Sequence, residues 1–323
     1  MKFGTVPGVD KPVSRLVHGA TAVPQFDEAG VTAAFDAALE VGFNAFDSAQ
    51  IYYGGQHERA LGKWINANGI REQVVILAKG AHHNADRQRV TPFDITADLH
   101  DTLARMKVDY VDMLVLHRDD PSVPVGPIVV ALNEHIKAGK IKAFGGSNWS
   151  HERIGEANAY AREHGLVPFA LSNPQLSLAT MVKEPWHNCV SISGPACDEA
   201  RDWYRSEGLA VFAWSSIAGG FLSGSLSRMN IEEYKSKFGT LALNSYGSEE
   251  NFQRLDRAYE IAEARDVTVA QIALAWVLSQ PLNIFALVGS ATRDECRANA
   301  AALDIELSKQ EMDYLDLRAD SPA

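Results

Sequence analysis

Three ionisable side chains stand directly behind apolar runs that have the character of strands. Asp47 follows residues 42–46, Lys79 follows residues 74–78, and His117 follows residues 113–116. The spacings of 32 and 38 residues each match one strand plus one returning helix. In a parallel barrel the carboxyl ends of successive strands gather on one face, where active sites are built. Because charged groups are costly to bury without partners, we expect these three side chains to meet around one pocket.

Apolar runs alternate with helical patterns along most of the chain. The apolar runs are 43–46, 73–78, 111–116, 141–145, 210–214 and 284–288, with weaker ones at 13–20 and 167–171. Helical periodicity is found at 31–39, 94–107, 125–138, 150–164 and 268–279. Short continuous strands between amphipathic helices indicate a parallel sheet. Eight such strands predict an α/β fold, a single (β/α)8 TIM barrel over residues 1–323, with an open doubly wound sheet as the competing arrangement.

Two segments, 173–197 and 225–250, do not follow this alternation. Both are rich in polar or turn-forming residues and show no clear period. Long loops in compact domains are often lids or binding loops, so we expect both segments to be loops on the functional face.

Composition narrows the classes of function. The chain has 323 residues, 46% of them hydrophobic, and a net charge of −11 without a basic run, which argues against nucleic-acid binding. No apolar run approaches the roughly 18 residues of a membrane span. The three cysteines, Cys189, Cys197 and Cys296, form no paired motif, so we expect a cytoplasmic protein. His82 and His83 lack a third ligand at useful spacing, and no metal site is predicted.

Several motifs, taken together and in order, resemble a known family. The segment 47–52, the glycine pair that follows it and the strand ending in Lys79 resemble the signature of the aldo-keto reductases, and so do the segments 110–117 and 145–148. The resemblance extends over about residues 13–318 and is closer to the potassium-channel beta-subunit branch than to the aldose-reductase branch, because Trp214 opens the segment 214–224. It implies a barrel that interconverts a carbonyl and an alcohol with NAD(P)(H).

The resemblance implies a catalytic tetrad of Asp47, Tyr52, Lys79 and His117, and elementary chemistry agrees. A free tyrosine has a pKa near 10, and an adjacent ammonium lowers it. Lys79 supplies that charge, Asp47 holds Lys79, and Tyr52 exchanges the proton. His117 orients the carbonyl oxygen. A barrel-rim salt bridge is the alternative reading of Asp47 and Lys79.

A larger set of residues is assigned to the cofactor. Amides and hydroxyls are expected at the nicotinamide, Trp214 is expected to stack on it, and a small-residue loop and a helix start are expected at the phosphates and adenosine. The residues are Thr21, Ser147, Asn148, Gln175, Trp214, Ser215, Ser216, Ile217, Gly219, Phe221, Gly289, Ser290, Thr292, Arg293, Glu295 and Asn299. The resemblance favours NADP(H). Glu295 and the scarcity of cations near it favour NAD(H), because a carboxylate can accept from a ribose hydroxyl.

The expected substrate is a small carbonyl or alcohol compound, with a sugar-like molecule suited to the polar mouth. That mouth is predicted to include Val23, Tyr53, His82, Arg118 and Trp149, with part of the 180–197 segment. Two other functions remain open. One is a regulatory nicotinamide-binding protein, as the resemblance to channel subunits implies. The other is a barrel isomerase, which the nicotinamide-side residues disfavour. The oligomeric state is not predicted.

Overall fold

Eight parallel strands close into a barrel in the computed structural model, which describes residues 1–20 and 26–322. A short antiparallel pair, β1 (Phe3–Gly4) and β2 (Val13–Ser14), precedes it. The barrel strands are β3 (Leu16–His18), β4 (Ala45–Asp47), β5 (Val75–Gly80), β6 (Val111–Leu116), β7 (Ile141–Ser147), β8 (Leu171–Asn173), β9 (Ala210–Ala213) and β10 (Asn283–Val288). Pairing of β10 with β3 completes the ring, so the predicted barrel is confirmed and the open sheet is wrong.

Helices surround the barrel. They are α1 (Glu28–Val41), α2 (Gln56–Asn68), α3 (Pro92–Met106), α4 (Val125–Lys137), α5 (His151–Glu163), α6 (Asp198–Glu207), α7 (Ile231–Phe238), α8 (Leu241–Tyr246), α9 (Glu249–Ala264), α10 (Val269–Leu278), α11 (Arg293–Ala301) and α12 (Lys309–Leu315). Their ends follow local chemistry. Thr91 caps α3 by accepting the Asp94 N–H, and Pro92 occupies the first turn, where its missing N–H costs nothing.

Alternation along each strand decides which side chains enter the barrel. Val75 and Leu77 of β5 belong to the inner apolar cluster, whereas Ile76 packs outwards into the layer shared with the helices. The same period carries Lys79 to the inside at the carboxyl end of β5. It leads likewise from Ala45 to Asp47, from Val115 to His117, from Leu171 to Asn173 and from Phe212 to Trp214. The barrel interior therefore continues upwards from apolar residues into the polar residues of the site.

The segment 225–250 differs from its prediction. It contains α7 and α8 rather than an extended loop. Tyr234 and Tyr246 are buried and anchor these two short helices, which the polar composition of the segment concealed. The segment 173–197 matches its prediction better, since after Asn173 it contains only isolated bridges and one 3-10 turn, at Pro195–Cys197. Within residues 1–20 and 26–322, no helix is long and apolar enough to cross a membrane.

Candidate active site

A cavity of about 1060 Å³ opens at the carboxyl ends of the barrel strands. Asp47, Tyr52, Lys79 and His117 all line it, so the structure brings the four predicted tetrad residues together. Asp47 ends β4, Lys79 is the penultimate residue of β5, and His117 follows β6. Tyr52 is the first residue of a 3-10 turn, Tyr52–Gly55, that leads from β4 into α2. Residues far apart in sequence thus converge because successive parallel strands end on one face.

Lys79 is the centre of the polar contacts. Its ammonium forms an ion pair with the Asp47 carboxylate and donates to the Tyr52 hydroxyl over 3.1 Å. Lys79 and Asp47 are both almost fully buried. Burial opposes the charge on Lys79, but the attraction of Asp47 and Tyr52 raises the pKa of its ammonium overall. A fixed positive charge therefore lies beside the phenol oxygen.

Tyr52 differs from expectation in its ionisation. Burial raises the pKa of Tyr52 above its ordinary value, while the Lys79 ammonium acts in the opposite direction. The expected effect of Lys79 is present, but desolvation of the phenolate is larger. Tyr52 is consequently a neutral phenol at neutral pH, which is the form that donates a proton.

His117 is a neutral imidazole. Burial lowers its pKa well below the ordinary value, and the charges of Lys79 and Arg118 lower it further. Its ring meets that of Tyr52 edge to face, with centroids 5.7 Å apart. Its Nδ1 atom is buried and has no hydrogen-bond partner among the described residues. His117 can thus place one N–H beside Tyr52 at the cavity wall without adding charge.

Amide and hydroxyl groups lie on the next strands around the ring. Ser147 and Asn148, which were predicted to bind the cofactor, follow one another at the end of β7 and line the cavity. The Ser147 hydroxyl donates to the Asn173 carbonyl over 3.0 Å, and Asn148 Nδ2 donates to the His117 carbonyl over 3.3 Å. Trp214, directly after β9, presents its ring to the cavity, and its Nε1 is buried without a partner in the described part of the chain. A flat ring and nearby amides make a site with one stacking face and several hydrogen-bonding groups.

The loop after Trp214 lines the cavity through small residues. The wall includes four residues that were predicted to bind the cofactor: Ser215, Ser216, Ile217 and Gly219. Ser215 and Gly219 have left-handed backbone, with φ of 50° and 59°. Turns of this kind expose successive backbone N–H groups, which suit anions. Phe221 was expected beside them but is fully buried and packs on Phe252 instead.

The far end of the cavity is reached by Gly289, Glu295 and Asn299. Glu295 completes a capping box on α11: its carboxylate accepts the backbone N–H of Ala291 over 2.7 Å and of Thr292 over 3.2 Å. The start of this helix, expected to attract a phosphate, therefore already has a carboxylate. The Arg293 guanidinium lies 3.1 Å from the Glu40 carboxylate, and the Arg297 guanidinium lies 3.9 Å from the Asp294 carboxylate, so both cations already face a carboxylate of the chain.

Some predicted site residues lie away from the described cavity wall. Gln175 is buried in a network in which it accepts from Ser191 and Ser193 and donates to Ser177. Trp149 is fully buried behind the site and donates to the Arg118 carbonyl over 3.1 Å. Five further residues predicted for the site also lie away from the cavity wall: Tyr53, Phe221, Ser290, Thr292 and Arg293. Thr21 and Val23 fall outside the described residues.

Sequence reasoning did not single out several wall residues. Asn173 ends β8 on the inward side, and Trp186, His187 and Cys189 come from the 180–197 segment, part of which was predicted at the mouth without naming residues. The alternation from Leu171 to Asn173 was a usable signal, because the same spacing selects Lys79 and His117. No local pattern marked the loop residues. Within the described chain, no group of three His, Cys, Asp or Glu side chains is arranged to hold a metal ion.

Comparisons with known proteins agree with this geometry. The family model described as "Aldo/keto reductase family" matches residues 15–318. A probable voltage-gated potassium channel subunit beta from Oryza sativa subsp. japonica is 29% identical, over 91% of this chain and 88% of that protein. A norsolorinic acid reductase from Emericella nidulans is 28% identical, over 87% of this chain and 69% of that protein. The crystal structure of a thermostable aldo-keto reductase in complex with epalrestat matches with a TM-score of 0.75 at 21% identity, covering 99% of this chain and 100% of that one.

Proposed function

Because the chain belongs to the aldo/keto reductase family, we propose that it interconverts a small carbonyl compound and the corresponding alcohol with a nicotinamide dinucleotide. The candidate substrates are aldehydes, ketones and keto-sugars. One observation carries the proposal: the Tyr52 hydroxyl lies at the cavity wall, 3.1 Å from the Lys79 ammonium and beside a neutral imidazole. This arrangement supplies a proton at the point where a carbonyl oxygen would be held.

The cavity residues fit a nicotinamide dinucleotide. The buried Trp214 Nε1 without a described partner, the amide of Asn148 and the left-handed loop around Gly219 offer a stacking face, hydrogen bonds and an anion-binding turn. Ser147, Asn148 and Trp214 would hold the nicotinamide end, and residues 215–219 the pyrophosphate. When bound, the reduced nicotinamide supplies the hydride that the carbonyl carbon receives.

The chain's own residues transfer the proton and hold the carbonyl oxygen. Tyr52 gives its phenolic proton to the oxygen in reduction and takes it back in oxidation. Lys79 stabilises the phenolate that remains, and Asp47 keeps the ammonium in place through their ion pair. His117 donates its N–H to the same oxygen and polarises the carbonyl. Tyr52, neutral at neutral pH, favours reduction in that range.

The choice of dinucleotide depends on the far end of the cavity. Family resemblance favours NADP(H). Two observations favour a ribose without a 2′-phosphate. Arg293 and Arg297 each face a carboxylate of the chain, and Glu295 lies at the cavity wall. We therefore propose that NAD(H) binds at least as well as NADP(H).

The regulatory alternative also has support, since one relative named above is called a channel subunit. The two functions differ in one requirement. A regulatory protein needs only to bind a dinucleotide, whereas the proposed enzyme needs the complete tetrad. Asp47, Tyr52, Lys79 and His117 all line one cavity here. This favours turnover.

The test is a binding and turnover screen on the full chain. NADH and NADPH binding is measured by fluorescence, and oxidation of each is then followed with aldehydes and keto-sugars as substrates. In the reverse direction, reduction of NAD⁺ and NADP⁺ is followed with sugar alcohols. We expect tight binding of at least one dinucleotide and turnover of at least one carbonyl class. Tight binding without any turnover would favour the regulatory function, and absence of binding would contradict both.

A further inference from the structure

Arg118 is a buried cation in the cavity wall that the tetrad does not use. It directly follows His117, and only 5% of its surface is exposed. Arginine stays protonated in proteins, so its charge persists despite burial. Its Nη1 donates to the His117 carbonyl over 3.0 Å, and its Nε is buried without a hydrogen-bond partner among the described residues.

Several other buried or half-buried arginines of this chain pair with carboxylates. Arg71 lies 2.9 Å from Asp112, Arg105 lies 2.9 Å from Glu58, and Arg254 lies 3.4 Å from Asp316. Within residues 1–20 and 26–322, no carboxylate lies within 4 Å of the Arg118 guanidinium, and residues 21–25 include neither Asp nor Glu. Burying an unpaired charge is costly, so such a site calls for an anion from outside the chain.

No neighbouring group of the described chain forms an ion pair with Arg118, although the exposed Glu184 carboxylate attracts it from a longer distance. Burial raises the pKa of the Cys189 thiol even though Arg118 opposes this, so the thiol stays protonated at neutral pH. Glu184 is exposed, and its carboxylate accepts the Cys189 backbone N–H over 3.0 Å. His82, at the same wall, has its pKa lowered to about 4 by burial and is neutral. Lys79, by contrast, is already neutralised by Asp47.

We propose that Arg118 makes this site selective for carbonyl compounds that carry an anionic group, a carboxylate or a phosphate, close to the reacting carbonyl. The guanidinium pairs with that group in a forked geometry, while the carbonyl oxygen meets Tyr52 and His117. This inference rests on the proposed function for the reaction itself, but the anion site is a property of the cavity alone. Arg118 is a binding residue for the substrate, and it takes no part in proton transfer.

Matched substrate pairs test the selectivity. The pairs are 4-oxobutanoate against butanal and glyceraldehyde 3-phosphate against glyceraldehyde, so the carboxylate and the phosphate are tested separately. For at least one pair, we expect wild-type kcat/KM to be about 10- to 100-fold higher for the anionic member, the range given by hydrogen bonds to charged groups. The pair with the larger ratio identifies the anion.

Variants assign the effect to Arg118. Arg118→Met should lose this advantage mainly through KM, so that the ratio of kcat/KM between the anionic and the neutral member of the pair falls towards one. Arg118→Lys keeps a point charge without the fork and should recover part of the advantage. Arg162→Met, at an exposed site on α5, is the matched control and should behave as wild type. An equal loss for charged and neutral substrates in Arg118→Met, or equal wild-type kcat/KM within both pairs, would overturn the proposal.

A binding measurement separates this inference from the reaction. The full chain is titrated with 4-hydroxybutanoate, butan-1-ol and inorganic phosphate by calorimetry, with and without NADPH. We expect an anion to bind wild type at least about tenfold more tightly than Arg118→Met, whether or not any aldehyde turns over. Anion binding without any turnover would contradict the proposed function but leave the anion site standing. Turnover of neutral aldehydes, with identical anion binding by wild type and Arg118→Met, would contradict the anion site but leave the proposed function standing.

Discussion

At the level of single residues, the site depends on a hydrogen bond from the Lys79 ammonium to the Tyr52 hydroxyl, 3.1 Å long. Two effects compete at the phenol: burial raises the pKa of Tyr52, and the ammonium lowers it. Since burial is the larger, Tyr52 keeps its proton at neutral pH. Under the proposed function, Lys79 would lower the free-energy cost of giving that proton to the substrate.

Removing the Lys79 charge tests this balance. Lys79→Met should raise the pKa of Tyr52 further, because burial and the Asp47 carboxylate still raise it while the ammonium that lowers it is gone. Alcohol oxidation needs the phenolate, so the rise of its rate with pH should move to higher pH, and the rate at neutral pH should fall by about 10²–10⁴-fold. Rate–pH profiles of alcohol oxidation for wild type, Lys79→Met and the charge-retaining Lys79→Arg are compared, with circular dichroism as the check on folding. A Lys79→Met profile that overlays wild type at full rate would remove Lys79 from proton transfer.

At the level of secondary-structure elements, the two-residue period of the strands explains why the site could be foreseen. Polar residues two positions beyond an inward apolar residue enter the cavity, as Lys79, His117 and Asn173 do. The barrel and the convergence of Asp47, Lys79 and His117 were therefore readable from sequence, whereas Tyr52 came from the family resemblance, because it lies in a 3-10 turn outside the strands. Gln175 was not, because it lies beyond the end of β8, where a tertiary network of serine hydroxyls decides the direction of its amide. The positions of Trp186 and Cys189 depend on loop conformation, which no periodicity encodes.

The start of α11 gives a prediction on cofactor choice. Glu295→Gln keeps the capping box, since glutamine serves at this position as glutamate does, but it removes a negative charge at the cavity wall. The ratio of NADPH to NADH affinity should rise by roughly tenfold, the effect of losing one hydrogen bond to a charged group. Dissociation constants of both dinucleotides are measured by fluorescence for wild type and the variant. Glu163→Gln, an exposed change of the same kind at the end of α5, is the control, and an unaltered ratio in Glu295→Gln would show that Glu295 does not meet the ribose.

At the level of the whole molecule, buried histidines tie the stability of the barrel to pH. Burial lowers the pKa of His18 to about 4 and that of His57 to about 3. In the unfolded chain both rings titrate near 6.5. The unfolded state therefore binds more protons below pH 6.5, and the free energy of unfolding falls as the pH drops from there towards 4.

We expect the urea midpoint, followed by circular dichroism, to fall between pH 7 and pH 5. Each of the two histidines contributes about 1.4 kcal/mol per pH unit to this decline. His18→Gln should show a smaller decline than wild type, whatever its stability at pH 7. His164→Gln, at an exposed site, should decline as wild type does. Equal declines in wild type and His18→Gln would mean that protonation of His18 is not coupled to unfolding.

The central claim is that Tyr52 gives the proton while a bound nicotinamide gives the hydride to a carbonyl carbon. The most direct measurement is a single-turnover reduction with reduced dinucleotide that carries deuterium at both positions of nicotinamide C4. Wild type is compared with Tyr52→Phe, and the dissociation constant of the dinucleotide is measured for both. The account predicts one deuterium on the carbinol carbon in wild type, a rate lower by about 10²–10⁴-fold in Tyr52→Phe, and unchanged dinucleotide binding. A Tyr52→Phe protein that reduces the aldehyde at the wild-type rate, or a wild-type alcohol product without deuterium, would contradict it.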